Sequence, residues 1–281
     1  MKIRLIGIRN ALGVGVHYTN ISNALQRIYG IGPCIEEVDS TSQPALLHAA
    51  SQSQPEDINI CFVSIPLQHH FRGTNIQWIV FESTRVAPHL HECLNQADQI
   101  WVPSEWGRNI LLQNGFGSKY IRVVPEGVDE NFTSALPHVK NKTFTYLSVG
   151  KYEQRKGIQE TIEAFKQAWG NDPTKQLWLK TNRCPEIENQ IGTSKNISVL
   201  DSNMDMTELY QKCHVFVLPT RGEGWGLPLI EAAACGLPII TTMYSGQTEF
   251  LQHIPSSVLP VDYVMTPITC PDFQQAYPLK L

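Results

Sequence analysis

Short apolar runs alternate with segments of helical period along this chain, and that alternation limits its folding options more than any other feature. In the first half the runs lie at residues 3–7, 58–64, 77–81, 99–102 and 121–124. In the second half they recur at residues 144–149, 177–180, 197–200, 215–218 and 239–241. A run without a polar face is buried on both sides, as in parallel sheets covered by helices. Ile21, Leu25 and Ile28 stand at helical spacing and predict a helix over 18–28, and further helices are predicted over 105–113 and 157–169. The 281 residues hold about two domains at ~150 residues each. The expected architecture is α/β, with one domain over 1–135 and a second of similar type over 136–281. A linker is expected from Pro125, Glu126, Gly127, Val128 and Asp129 through the polar stretch that ends at Asn141.

Charge and cysteine content exclude several classes of function. The net charge is −4, with 22 Lys and Arg against 26 Asp and Glu, whereas a general nucleic-acid binder is usually basic. The seven cysteines are odd in number and contain no C-x-x-C, which fits reduced, mostly buried thiols and a cytoplasmic location. No apolar run approaches the ~20 residues of a membrane span, and Arg4 and Arg9 break the N-terminal stretch before it can act as a signal peptide. The Lys119 and Arg122 pair is too small a basic patch to support membrane binding. His89, His91 and Cys93 imitate a metal cluster, but on a helix His91 points away from the other two, so no metal site is expected. His69 and His70 have no obvious partner. No G-x-S-x-G elbow and no Walker loop occur.

Three glycine-bearing loops remain as carriers of chemistry. The densest runs from Arg221 through Gly222, Glu223, Gly224, Trp225, Gly226, Leu227 and Pro228 to Glu231, Cys235 and Gly236. It follows the apolar run 215–218, at the strand end where open α/β sheets bind ligands. Its glycines let a ligand approach the backbone, Pro228 suits a first helical turn, and Gly236 suits a C-cap. The free N–H groups of the helix over 227–235 can hold a phosphate. Glu223 and Glu231 are acceptors for sugar hydroxyls, and Trp225 is of the type found exposed beside a ligand. The second loop places Lys151, Arg155 and Lys156 between Gly150 and Gly157, also after a strand, where three cations can neutralise a diphosphate. The third, from Asn10 to His17 with Gly13 and Gly15, fails as a dinucleotide fingerprint because Tyr18 stands at the third glycine position. It reads equally as a loop facing a substrate and as a structural turn.

Together these residues resemble the GT-B glycosyltransferases of the retaining group often called family 4, or group 1. Glu223 and Glu231, with seven residues between them, match that family's E-x7-E motif. The segment Glu223 to Pro228, EGWGLP, is close to its usual wording. Gly150 and Lys151 with Lys156 and Gly157 match its phosphate loop, although Arg is commoner than Lys at position 151. Ser245, Gly246, Gln247, Thr248 and Glu249 resemble the turn that follows. Val102, Pro103 and Ser104, the segment Pro125 to Asp129, and Phe81, Glu82, Ser83, Thr84 and Arg85 are similar to the N-terminal half of such proteins.

The resemblance implies two Rossmann-like domains facing across a cleft and transfer of a sugar, with retention, from a nucleotide-sugar donor to a carbohydrate, lipid or protein acceptor. It implies that Lys151 and Lys156 hold the diphosphate with help from Arg155, and that Glu231 binds the ribose. Glu223 contacts the donor sugar, while Trp225 and the backbone N–H groups of Gly224, Gly226 and Leu227 complete the donor site. Gly13, Gly15, His17 and Glu82 stand on the acceptor side. No cofactor or metal is implied, the nucleotide-sugar being a substrate. The family's C-terminal crossover helix has no counterpart in residues 261–281 and is expected to be missing. The competing expectation is a non-catalytic nucleotide-sugar-binding partner subunit or a truncated, inactive homologue.

Overall fold

The computed structural model describes residues 1–10, 13–30, 34–63, 71–117, 120–133, 141–200 and 204–266. His69, His70, Lys119, Cys270 and the final stretch from residue 267 lie outside the described residues. The chain divides into two compact units, Met1–Gly127 and Val128–Leu281.

In the first unit, strands β1 (Ile3–Gly7), β2 (Ile35–Asp39), β3 (Ile58–Cys61), β4 (Thr74–Trp78), β5 (Gln99–Val102) and β6 (Tyr120–Val123) form one sheet. Its order is β2-β1-β3-β4-β5-β6, and every pairing is parallel. Helices α1 (Gly13–Tyr29), α2 (Gln43–Ser51), α3 (Pro88–Gln96) and α4 (Glu105–Gln113) connect them. Successive residues of β1 serve opposite cores. Leu5 packs with Tyr18, Ile60, Phe62, Ile76 and Trp78, while Ile6 packs with Val38, Leu46, Ala49 and Phe71. Burial on both faces is why β1 reads as a continuous apolar run.

The second unit repeats the plan. Strands β7 (Phe144–Val149), β8 (Lys175–Lys180), β9 (Ile197–Val199), β10 (Val215–Leu218), β11 (Ile239–Thr242) and β12 (Val258–Val261) form a second parallel sheet of order β12-β11-β10-β7-β8-β9. Helices α5 (Ile158–Trp169), α6 (Pro185–Ile191), α7 (Met206–Lys212), α8 (Leu227–Ala234) and α9 (Thr248–Leu251) link the strands. Leu147, Ile162, Leu177, Phe216 and Leu229 are fully buried in one core. The strand order reverses at β7 and β10, so the loops after these neighbours open at the topological switch point.

Strand β2 was not anticipated. Its sequence is IEEVD, and only Val38 is buried. It is an edge strand, and Glu36 and Glu37 pair with Arg4 and Arg9, so charge replaces the apolar signal.

The reading of Gly13, Gly15 and His17 as a loop is corrected, because all three belong to α1, which starts at Gly13. Gly15 serves close packing at the helix start, since a Cβ there would meet Asn10 Oδ1 at 2.2 Å. His17 is 2% exposed and packs edge-on to Phe62 and Trp78, with ring centroids 5.3 and 4.5 Å away.

The six described cysteines form no disulfide, and Cys61, Cys93, Cys213 and Cys235 are buried. Among the described residues no helix is long and apolar enough to cross a membrane. Leu147 lies at the centre of the second core with no exposure. Leu147→Ala is expected to lower stability by about 2–5 kcal/mol, read as a reduced urea midpoint with an unchanged m-value.

Candidate active site at the switch point of the second sheet

The two loops flanking the switch point are joined by an ion pair between half-buried Lys156 and buried Glu223. Lys156 Nζ lies 2.8 and 2.9 Å from the two carboxylate oxygens of Glu223. Glu223 also accepts from Thr220 Oγ1 at 2.9 Å, and Arg155 Nη1 stands 3.3 Å from its Oε1. Glu223 is only 5% exposed. Burial alone would raise its pKa, but the charges of Lys156 and Arg155, with the hydrogen bonds from Lys156 and Thr220, hold it below the ordinary carboxylate value.

Backbone contacts fix the same junction. Arg221 N–H donates to Arg155 O at 2.7 Å, and Arg155 Nη1 donates to Gly222 O at 2.9 Å. Arg155 Nη2 donates to Glu153 at 2.8 Å. Of the three cations in the loop after β7, Lys151 is exposed, while Arg155 and Lys156 are half-buried and engaged with carboxylates.

Helix α8 begins beside this pair. Gly226, with φ 98°, is its N-cap and offers no side-chain cap, and Pro228 occupies the first turn. The N–H of Leu227 has no intrahelical acceptor, as at any helix start, and Pro228 has no N–H. On the same helix Glu231 Oε2 lies 2.8 Å from the hydroxyl of Tyr210, which is fully buried and lies 3.1 Å from Pro228 O. Burial pushes Glu231 up to about 7, against the lowering effect of the Tyr210 hydrogen bond. Gly236 follows the helix in the left-handed region at φ 72°.

Trp225 departs from expectation. It is 3% exposed and packs against Phe250 at 5.1 Å, and its buried Nε1–H has no acceptor among the described residues. The apolar ring is used to seat the glycine-rich loop on α9.

A third loop, after β11, braces the site from below. Glu223 N–H donates to Ser245 Oγ at 2.8 Å, and Gly246 N–H donates to Glu223 O at 2.8 Å. Ser245 is buried with φ 70°, a conformation costly for a residue with a Cβ. Ser245 Oγ stands 2.9 Å from Gln247 Oε1, and Gln247 Nε2 donates to Thr242 O at 3.1 Å. The sequence marked the 245–249 turn only by likeness. It gave no signal for Tyr210 or Thr220, because their partners Glu231 and Glu223 are acquired through the fold.

Glu82 belongs to the first unit. It is half-buried, beyond the carboxyl end of β4, and its charge acts on the buried Glu126.

Residues 133–256 match the family model described as glycosyl transferases group 1. The mannosyltransferase WbdA of Escherichia coli is 34% identical over 105 residues, covering 34% of this chain and 13% of that protein. The capsular polysaccharide glycosyltransferase CapM of Staphylococcus aureus is 32% identical over 148 residues, covering 49% of this chain and 38% of that protein. The chain thus spans well under half the length of these curated relatives. In solved structures, HepE of Anabaena in complex with UDP and glucose superposes with a TM-score of 0.70, over 89% of this chain and 83% of that one, at 15% identity. The two parallel-sheet units have the GT-B fold, and residues 133–256 of the second are similar to the group 1 glycosyltransferases.

The bracing loop is open to a direct test. A Cβ on Gly246 would stand 1.9 Å from the backbone carbonyl oxygen of Gly224, a clash that no side-chain rotation relieves. Gly246→Ala is expected to cost about 1–3 kcal/mol and to displace the glycine-rich loop. Raised amide hydrogen exchange over 222–227, with the first unit unchanged, checks this.

Proposed function

We propose that this chain is a glycosyltransferase whose second unit binds a nucleotide-sugar and passes the sugar to a carbohydrate acceptor with retention and without a metal. The observation that carries the proposal is the Lys156–Glu223 pair beside the uncapped start of α8. In the absence of donor, Glu223 compensates Lys156. An arriving diphosphate supplies Lys156 with a second anion, and lone pairs of Glu223 become free to accept a hydroxyl of the donor sugar. Lys151, exposed at the mouth of the same loop, adds a cation to the diphosphate, and Arg155 holds the loop against Gly222. Glu231 accepts from the ribose hydroxyls, and N–H groups at Gly224 to Leu227 receive phosphate or sugar oxygens.

As the bond to the anomeric carbon breaks, negative charge grows on the leaving nucleoside diphosphate. Fixed cations and a helix N-terminus meet that charge without reorganising. Each charge-assisted hydrogen bond is worth about 1.5–3 kcal/mol, and an enzyme must remove at least ~8 kcal/mol of barrier. Several such contacts plus positioning reach that order. Attack on the same face as the departing phosphate needs no protein nucleophile. Likeness to a mannosyltransferase and to a UDP-bound structure supports a nucleotide-sugar donor.

A screen of UDP- and GDP-sugars by calorimetry and hydrolysis, with and without EDTA, tests the proposal. Binding and turnover are expected to survive EDTA, and Lys156→Ala is expected to lower turnover by about 10²-fold or more. Binding without turnover would point instead to a partner subunit, and loss of binding in EDTA would remove metal independence.

The pH dependence of donor affinity gives a second test. Glu231 is half ionised near pH 7, and a hydroxyl donor favours its carboxylate form. Affinity is expected to rise from pH 6 to pH 8 and then level, while Glu231→Gln is flat and weaker. An unchanged slope in that variant would remove Glu231 from the ribose site.

A further inference from the structure

Tyr210 lies on α7, 21 residues before Glu231 along the chain, and is fully buried. Its ring packs against Phe132 and Phe216, with centroids 5.8 Å away in each case. A ring held by two others keeps its hydroxyl in one place. That hydroxyl lies 2.8 Å from Glu231 Oε2 and 3.1 Å from Pro228 O, so it meets α8 at two points about one turn apart.

One hydroxyl has one hydrogen to give. Pro228 O stands in the first turn of α8, where the N–H four residues on is its ordinary partner. Glu231 Oε2 is nearer, and a carboxylate is the stronger acceptor. The hydrogen therefore goes to Glu231. Burial first, then the charge of Glu231, keeps the Tyr210 hydroxyl protonated. Glu231 has no second hydrogen-bond partner among the described residues, which leaves Oε1 to accept from a ligand. An untethered glutamate on a helix samples several rotamers, and ordering it at the moment of binding weakens affinity. With Oε2 tied, that ordering precedes the ligand.

We propose that Tyr210 is a positioning residue, whose hydroxyl fixes Glu231 Oε2 so that Oε1 is presented to a hydroxyl of the nucleotide-sugar donor. The proposal rests on the transferase reading. Tyr210 has no exposure and acts through Glu231 alone. The other titratable groups acting on Tyr210 are the buried thiols of Cys213 and Cys235, while burial and Tyr210 are the influences on Glu231.

Tyr210→Phe keeps the ring and removes the hydrogen bond. Oε2 then loses its donor, which favours the neutral acid and frees the side chain. A residue that served packing alone would leave the titration of Glu231 where it was.

The test combines two readouts. In ¹³C NMR of the full chain labelled at glutamate carboxyls, the Glu231 signal is identified by its absence in Glu231→Gln. Its midpoint is expected near 7 in the wild type and higher in Tyr210→Phe. In calorimetry with UDP-glucose and GDP-mannose, Tyr210→Phe is expected to lower affinity at pH 7 by about tenfold, with the loss shrinking as pH rises to 9. In the Glu231→Gln background the same change is expected to alter affinity by less than about twofold. A Glu231 midpoint that does not move overturns the proposal, as does an affinity loss of equal size in both backgrounds. A wild type that binds neither nucleotide-sugar, with the Glu231 midpoint still moved by Tyr210→Phe, overturns the transferase reading and with it the ligand named here, which separates the two failures. If Tyr210→Phe does not fold, the wild type decides. One tyrosine ¹³Cζ signal is expected to shift with the midpoint of Glu231, and the absence of any such signal overturns the proposal.

Discussion

A buried carboxylate held by two cations sets the geometry of the second unit's switch point. Removing Glu223 from water carries a desolvation cost that Lys156, Arg155 and Thr220 must offset together. That requirement dictates the local sequence. Lys156 and Arg155 must sit at the end of the loop after β7, Glu223 three residues beyond Thr220, and the two strands must be neighbours. The parallel pairing of β7 with β10 supplies the last condition. The bracing loop after β11, with strained Ser245, then fixes the backbone of Glu223 so that the carboxylate has one position.

Much of this frame was legible in sequence because burial on both faces writes a strand as an unbroken apolar run. The strands β5, β7 and β10 and the helix α4 fall on the residues the pattern marked. The failures have physical causes. Strand β2 lies at an edge, so its exposed positions carry Glu36 and Glu37, and apolar pattern is lost. The start of α1 was hidden by Gly13 and Gly15, which ordinarily break helices, whereas Gly15 is there because Asn10 occupies the space a side chain would need. Trp225 carries the residue type of an exposed platform, yet its ring faces Phe250.

The site itself was half legible. Spacing placed Lys156 and Glu223 on strand-to-helix junctions and Glu231 on the helix that follows, because local order along the chain determines that. It could not show that Lys156 and Glu223, 67 residues apart, face each other, nor that Tyr210 reaches Glu231 from α7. Those contacts depend on which strands neighbour one another. Residue type alone does not reveal it.

Three glutamates show how far environment, rather than residue identity, decides behaviour. Glu223 is ionised because two cations face it. Glu231, half-buried with a hydroxyl partner in Tyr210, is pushed up to about 7. Glu126, buried near His17 with the Glu82 charge acting on it, is pushed up to about 8. One side-chain type is thus held below its ordinary value at one place and well above it at two others. The fold makes this division by supplying partners of different charge at each place. A change of partner, more than a change of the glutamate itself, would therefore reassign each role.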